Sequence, residues 1–171
     1  MKAKSQRTRA GKFGLRTPVR KIRSIAIVDV ENLLKTTNPT PGAIELVSKT
    51  FYSVASVSDD CQTILACSHH CADKAFFEWN QSCVRLQRSG VDGADLALIE
   101  HVRSMHNLSD FGHVVIGSGD HLFTDLAWDL RDAGHTVHVV ARRNTLARSL
   151  KEAANFVSFL PITSDDFELI A

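Results

Sequence analysis

The chain has no apolar run approaching the roughly 18 residues that a membrane-spanning helix needs. Behind its basic start there is no apolar segment of the export-signal type. A soluble, cytoplasmic protein is therefore expected, with no membrane partner. Cysteine is scarce: Cys61, Cys67, Cys71 and Cys83 lack the paired Cys-x-x-Cys knuckles of zinc sites. They are read as reduced thiols that behave as small hydrophobes. No Gly-x-x-x-x-Gly-Lys loop occurs, which argues against nucleotide hydrolysis of the P-loop type. Internal repeats and low-complexity segments are also missing. Acid is absent from residues 1–23, which hold nine of the twenty Lys and Arg. The remainder carries eleven bases against nineteen acids, a net charge of −8. A basic arm on an acidic body is a layout common among proteins that touch nucleic acid.

The 171 residues and an apolar fraction of 44% suit one globular domain with a sizeable core. Short apolar runs alternate with helical patterns along the chain. Strands are expected at 24–30, 61–67, 83–87, 113–117, 136–141 and 156–160. Helices are expected at 41–54, 72–79, from about 92 to 106, at 122–133 and at 145–154. Thr40 followed by Pro41 reads as an N-cap and first helical residue, and Gly134 as a helix stop. The third strand alternates in polarity and belongs near a sheet edge. Phe76, Phe77 and Trp79 read as core, because no basic groove lies beside them in sequence. Strict strand–helix alternation predicts a three-layer α/β/α sandwich around a mainly parallel, doubly wound sheet. Residues 1–22 form the flexible basic arm, 23–162 the domain, and 163–171 a loose acidic tail.

Two apolar runs end in an acid. Ser24-Ile25-Ala26-Ile27-Val28 leads to Asp29, and Val114-Val115-Ile116-Gly117 leads through Ser118-Gly119 to Asp120. Open α/β sheets place ligands at the carboxyl ends of their strands. Adjacent strands would bring the Asp29 and Asp120 carboxylates together, and crowded carboxylates call for a cation between them. Two more acids, Asp92 and Asp95, open the third helix. Their spacing resembles a capping box, yet an acid there can also present its outer oxygen to a cation. An oxygen-only cluster suits Mg²⁺ or Mn²⁺, and the chemistry it suits is metal-assisted phosphodiester hydrolysis.

These motifs resemble those of the NYN domain family, a branch of the PIN-like nucleases. Val28-Asp29-Val30-Glu31-Asn32 is similar to the family's Asp-x-x-Asn opening. Gly90-Val91-Asp92-Gly93-Ala94-Asp95 resembles its second acidic motif, and Ser118-Gly119-Asp120-His121-Leu122-Phe123 its Ser-Gly-Asp-x-Asp-Phe segment. The resemblance covers roughly residues 24–160. It implies a PIN-like fold and a metal-dependent endoribonuclease whose catalytic residues are Asp29, Asn32, Asp92, Asp95 and Asp120. Asp29, Asp95 and Asp120 would hold Mg²⁺ or Mn²⁺. Between the two acids of the second motif, helical position favours Asp95. Asn32 would position Asp29 or the substrate. Ser118, Arg142 and Arg143 are the candidate contacts to RNA, single-stranded by expectation, and a homodimer is an open assembly. The departure is Leu122, where the family often has a second Asp. Asp125, one turn along, is the candidate substitute, and His121 a candidate phosphate contact or proton donor.

Two competing readings remain. One is a catalytically weak or inactive RNA-binding module of PIN-like fold. The other is a doubly wound phosphatase with an Asp nucleophile, although the Asp-x-Asp opening of one large phosphatase superfamily is broken by Glu31.

Overall fold

The chain's most apolar strand is the middle of its sheet. A computed structural model describes residues 23–58, 60–79 and 81–168. The basic arm expected over 1–22 lies outside them. In β1 (Arg23–Asp29), Ile25 to Val28 are wholly buried, as a strand covered on both faces must be. Around it lie β2 (Gln62–Cys67), β3 (Cys83–Gln87), β4 (Phe111–Gly117), β5 (Thr136–Ala141) and β6 (Phe156–Phe159). They form one six-stranded sheet in the order β3-β2-β1-β4-β5-β6, every pairing parallel. The expected doubly wound α/β fold is what the chain adopts, and β3 is at an edge as its alternation predicts.

The helices are α1 (Val30–Leu34), α2 (Pro41–Ala55), α3 (His69–Glu78), α4 (Gly93–Ser104), α5 (Thr124–Asp132), α6 (Arg148–Ala153) and α7 (Ser164–Glu168). One core packs Ala26, Val28 and Leu65 of the sheet against Ile44, Val47 and Phe51 of α2 and Ala72 and Ala75 of α3. The other packs Ile25, Ile27 and Ile64 against Leu98 of α4, Leu126 of α5 and Leu150 of α6. Thr40 caps α2 as expected, its Oγ1 accepting from the Ala43 N–H at 3.2 Å. Cys61, Cys67 and Cys71 are core residues, and the four thiols are unbridged.

Several expectations are corrected. The reading of Phe76, Phe77 and Trp79 as core is only partly met: Trp79 is buried and donates through Nε1 to the Tyr52 hydroxyl at 2.9 Å, but Phe77 is 87% exposed. The helix placed at 145–154 starts three residues late, because Thr145 turns back onto the Arg142 carbonyl and Ala147 donates to Gly119 O in the β4 turn. The tail expected to be loose is helical over α7. Thr163 donates its N–H and hydroxyl to Asp166 Oδ2, and Phe167 packs on the core. The helix from 122 begins as a 3-10 turn (His121–Phe123) before α5.

One pair of side chains should make the fold acid-sensitive. His113 on β4 and His138 on β5 stack 5.8 Å apart, and His138 Nε2 lies 2.9 Å from Ser158 Oγ. Burial lowers the pKa of both, and the His113 charge lowers that of His138 further. A base with a depressed folded pKa stabilises fully above its unfolded value of about 6.5, and that contribution is lost as pH falls through the folded value. Thermal stability should therefore fall below about pH 6.5, and His138→Gln should flatten that slope. An unchanged slope in the variant would show that the imidazole does not set it.

Candidate active site at the centre of the sheet edge

Strand order reverses between β1 and β4, since the chain winds from β1 outward to β3 and from β4 outward to β6. That point is where an open parallel sheet leaves a crevice beyond its carboxyl ends. β1 ends there in Asp29, and β4 in the turn that carries Asp120. The cavity between them has a volume of about 150 Å³ and is lined by Asp29, Asn32, Asp92, Asp95 and Asp120. All five sequence-predicted catalytic residues therefore share one crevice. Glu31, Ser68 and Arg88 line it too.

Local chemistry fixes each group. The Asn32 N–H donates to Asp29 Oδ1 at 3.2 Å, so Asp29 caps α1. Asn32 in turn accepts the Gly119 N–H on its Oδ1 at 3.0 Å, which ties the end of β1 to the β4 turn across 87 residues. Asp120 Oδ1 accepts from the Leu122 N–H at 3.0 Å, and His121 Nδ1 lies 2.9 Å from the same oxygen. Glu31 takes both the N–H and the hydroxyl of Ser68, binding the end of β1 to the start of α3.

Asp95 is the anomaly. It lies in the first turn of α4, 9% exposed, and its Oδ1 is buried with no hydrogen-bond partner. Such an orphan costs about 1–3 kcal/mol. The expected capping box does not form: Asp92 occupies the N-cap position with φ 55° and makes no side-chain cap bond. A left-handed Asp is tolerable, and it leaves Asp95 free of the capping role.

The acids perturb one another. Burial raises the Asp29 pKa well above the usual carboxylate range, and the Asp95 charge raises it further. Burial also raises Asp95, aided by the charges of Asp120 and Asp92. Without a counter-charge, the Asp29–Asp95 pair keeps a proton at pH values where ordinary carboxyls have lost theirs. A hard divalent cation fits this donor set: crowded oxygens, one of them unpartnered. Asp29 and Asp95 would hold it, with Asp120 beside them. Among the described residues no three acidic, imidazole or thiol side chains already stand as a complete cage. One oxygen of Asp29 and one of Asp120 are already engaged as caps.

Other predicted residues fall outside the crevice. Ser118, expected to touch substrate, is fully buried, and its hydroxyl accepts the Asp120 N–H at 3.2 Å. That corrects its role to shaping the turn. Arg142 and Arg143 line a separate, larger cavity beside the first. Asp125 is exposed on α5 and does not line the crevice, so it does not replace the acid that Leu122 lacks. Glu31, Ser68 and Arg88 were missed as site residues. The signal was available: each closely follows a parallel strand at its carboxyl end.

The sequence profile of the NYN domain matches residues 23–163. No curated protein matches the chain. Among solved structures, a protein of unknown function from Vibrio parahaemolyticus is similar in fold. Its TM-score is 0.60 at 17% identity, covering 88% of this chain and 98% of that one. No helix among the described residues is long and apolar enough to cross a membrane.

Proposed function

Since the chain belongs to the NYN domain family, whose domain is of the PIN-like nuclease type, we propose that it is a divalent-metal-dependent endoribonuclease. It would act on single-stranded RNA in the cytoplasm. The observation that carries the proposal is the buried, unpartnered Oδ1 of Asp95 beside the raised carboxyl of Asp29. That arrangement is unfavourable in an empty protein and favourable around Mg²⁺ or Mn²⁺.

Asp29, Asp95 and Asp120 would hold the cation at the crevice. The bound cation supplies a lowered water pKa and polarises a phosphate oxygen. The remaining work falls to the chain itself. Asn32 holds the Gly119 turn so that Asp120 faces Asp29. Glu31 anchors the start of α3 beside the crevice through Ser68. Asp120 Oδ1 lies 2.9 Å from Nδ1 of the exposed His121 ring, and His121 would hand a proton to a departing oxygen. Arg142 and Arg143, beyond the β4 turn, would contact the strand. An inactive RNA-binding module is the second reading, favoured by Leu122 at the position of a family acid.

The test is cleavage of end-labelled single-stranded RNA with Mn²⁺ or Mg²⁺, with Asp95→Asn and Asp120→Asn as comparisons. Internal cuts that fade in both variants support the proposal. RNA bound but not cut selects the second reading.

Loading should also depend on pH, because the cation must displace the proton held by Asp29 and Asp95. The rise in melting temperature given by Mn²⁺ should be larger at pH 8 than at pH 5. Equal rises at both would show that these two acids are not the ligands.

A further inference from the structure

The cavity beside the carboxylates has a lining of opposite character. Its volume is about 560 Å³, and Lys35, Arg142 and Arg143 line it together with Phe159, Pro161 and Ile162. No acid is in its wall, although the Asp166 charge acts on Arg142, which also donates to Leu33 O at 3.4 Å. The body of the chain carries only eleven bases, so three in one cavity is a marked concentration on an acidic surface. Lys35 and Arg143 make no ion pair among the described residues. The Arg143 guanidinium lies 5.0 Å from the Phe159 ring centre, which makes a flat, cationic platform.

The cavity is built onto the catalytic turn. Ala147 N–H donates to Gly119 O at 2.8 Å, so the loop after β5 is fastened to the turn that carries Asp120. On the other side, α1 runs from its cap at Asp29 to Lys35, whose φ of 63° ends the helix. Six residues at a rise of about 1.5 Å put Lys35 roughly 9 Å from Asp29. The two cavities thus occupy one edge of the sheet, close enough for one strand to enter both.

We infer that this cavity is a subsite that takes one nucleotide of the RNA strand, next to the phosphodiester at the carboxylates. The inference rests on the ribonuclease reading for the strand's path, but not on cleavage. The base stacks on the Arg143–Phe159 platform, against Pro161 and Ile162. Its phosphate is received by Lys35 and Arg142. Size supports this, since ligand cavities run from about 300 to 1,000 Å³. Chemistry supports it too. Unpaired bases are held by stacking on aromatic rings and guanidinium planes, and phosphates by Lys and Arg. A duplex cannot offer a splayed base, so the subsite selects single strands.

The experiment measures binding of a fluorescent RNA octamer by anisotropy in EDTA, which separates it from hydrolysis. Arg143→Ala and Phe159→Leu are each expected to weaken binding about tenfold, with melting temperatures close to that of the parent chain. An abasic nucleotide walked along the octamer should weaken binding to the parent chain equally at one position. On that strand the two variants should cost nothing further. A duplex of the same sequence should be indifferent to Phe159→Leu. The inference is overturned if both variants bind the octamer as the parent does. It is also overturned if abasic and protein losses multiply at every position. Arg143 is exposed, so its replacement tests the subsite even if Phe159→Leu disturbs β6. Loss of this subsite would leave the cleavage proposal standing. Failure of cleavage with these binding effects intact would leave the subsite standing.

Discussion

Asp29→Asn is expected to reduce RNA cleavage about a thousandfold or more while making the protein harder to melt. The rate follows from the loss of a charged oxygen at the point where phosphate charge develops. Several kcal/mol of such stabilisation, at 1.36 kcal/mol per factor of ten, gives about that loss. The stability follows from the environment of the side chain. Asp29 is 5% exposed and sits beside Asp95, so its folded pKa is raised by burial first and by the Asp95 charge second. A raised acid contributes fully when protonated. That contribution declines as pH rises from the unfolded value, about 3.9, through the folded one. At neutral pH the parent chain carries this penalty and the Asn variant does not. Asn also retains the cap on α1, since its side-chain oxygen can accept the same N–H. The melting temperature should therefore exceed the parent's at pH 7 to 8 by about 2–4 °C per kcal/mol relieved. The gap should close near pH 4, about where both chains are neutral at this position. Parent-like cleavage by the variant would remove Asp29 from the mechanism. A lower melting temperature at pH 8 would contradict the electrostatic account.

Gly119→Ala should damage both fold and activity, although it adds a single methyl group. A Cβ at residue 119 would lie 2.4 Å from the Thr145 carbonyl oxygen and 2.7 Å from its carbon. Both are backbone atoms of a loop already fastened to the turn by the Ala147 bond to Gly119 O. Neither side can yield as a flexible side chain would, so either the loop or the turn must move. Overpacking of this kind costs about 1–3 kcal/mol, which in a domain of this size lowers the melting temperature by about 2–4 °C per kcal/mol. Movement of the turn also strains the Asn32 bond to the Gly119 N–H and swings Asp120 from the crevice. Cleavage should fall more than about tenfold. A variant with the parent's melting temperature would show that the loop relaxes freely, and that the two cavities are not rigidly joined.

The centre of this molecule was legible in its sequence because burial on both faces leaves an unmistakable run of Ile, Ala and Val. β1 and β4 were readable for that reason, and their terminal acids followed from parallel geometry. Of the two acids of the second motif, Asp95 is the buried one, and the capping box expected between them does not form. Gly93 allows α4 to approach the Arg88 carbonyl so closely that a Cβ there would lie 2.6 Å from it. Asp92 is left-handed just before it. Neither fact is written in residue spacing. Helix α1 escaped because five residues are too few to display a helical period. Glu31 was read only as a break in another family's motif, since its partner Ser68 lies 37 residues away. The basic character of Arg142 and Arg143 was visible, but the cavity they line needs Lys35 and Phe159 from distant stretches.

A crystal of the full chain soaked in Mn²⁺ and measured at the manganese absorption edge is the most direct check on the carboxylate centre. An anomalous peak within about 2.5 Å of both an Asp29 oxygen and Asp95 Oδ1 is the predicted result. No peak there at saturating Mn²⁺, or a peak held by other residues alone, would contradict it.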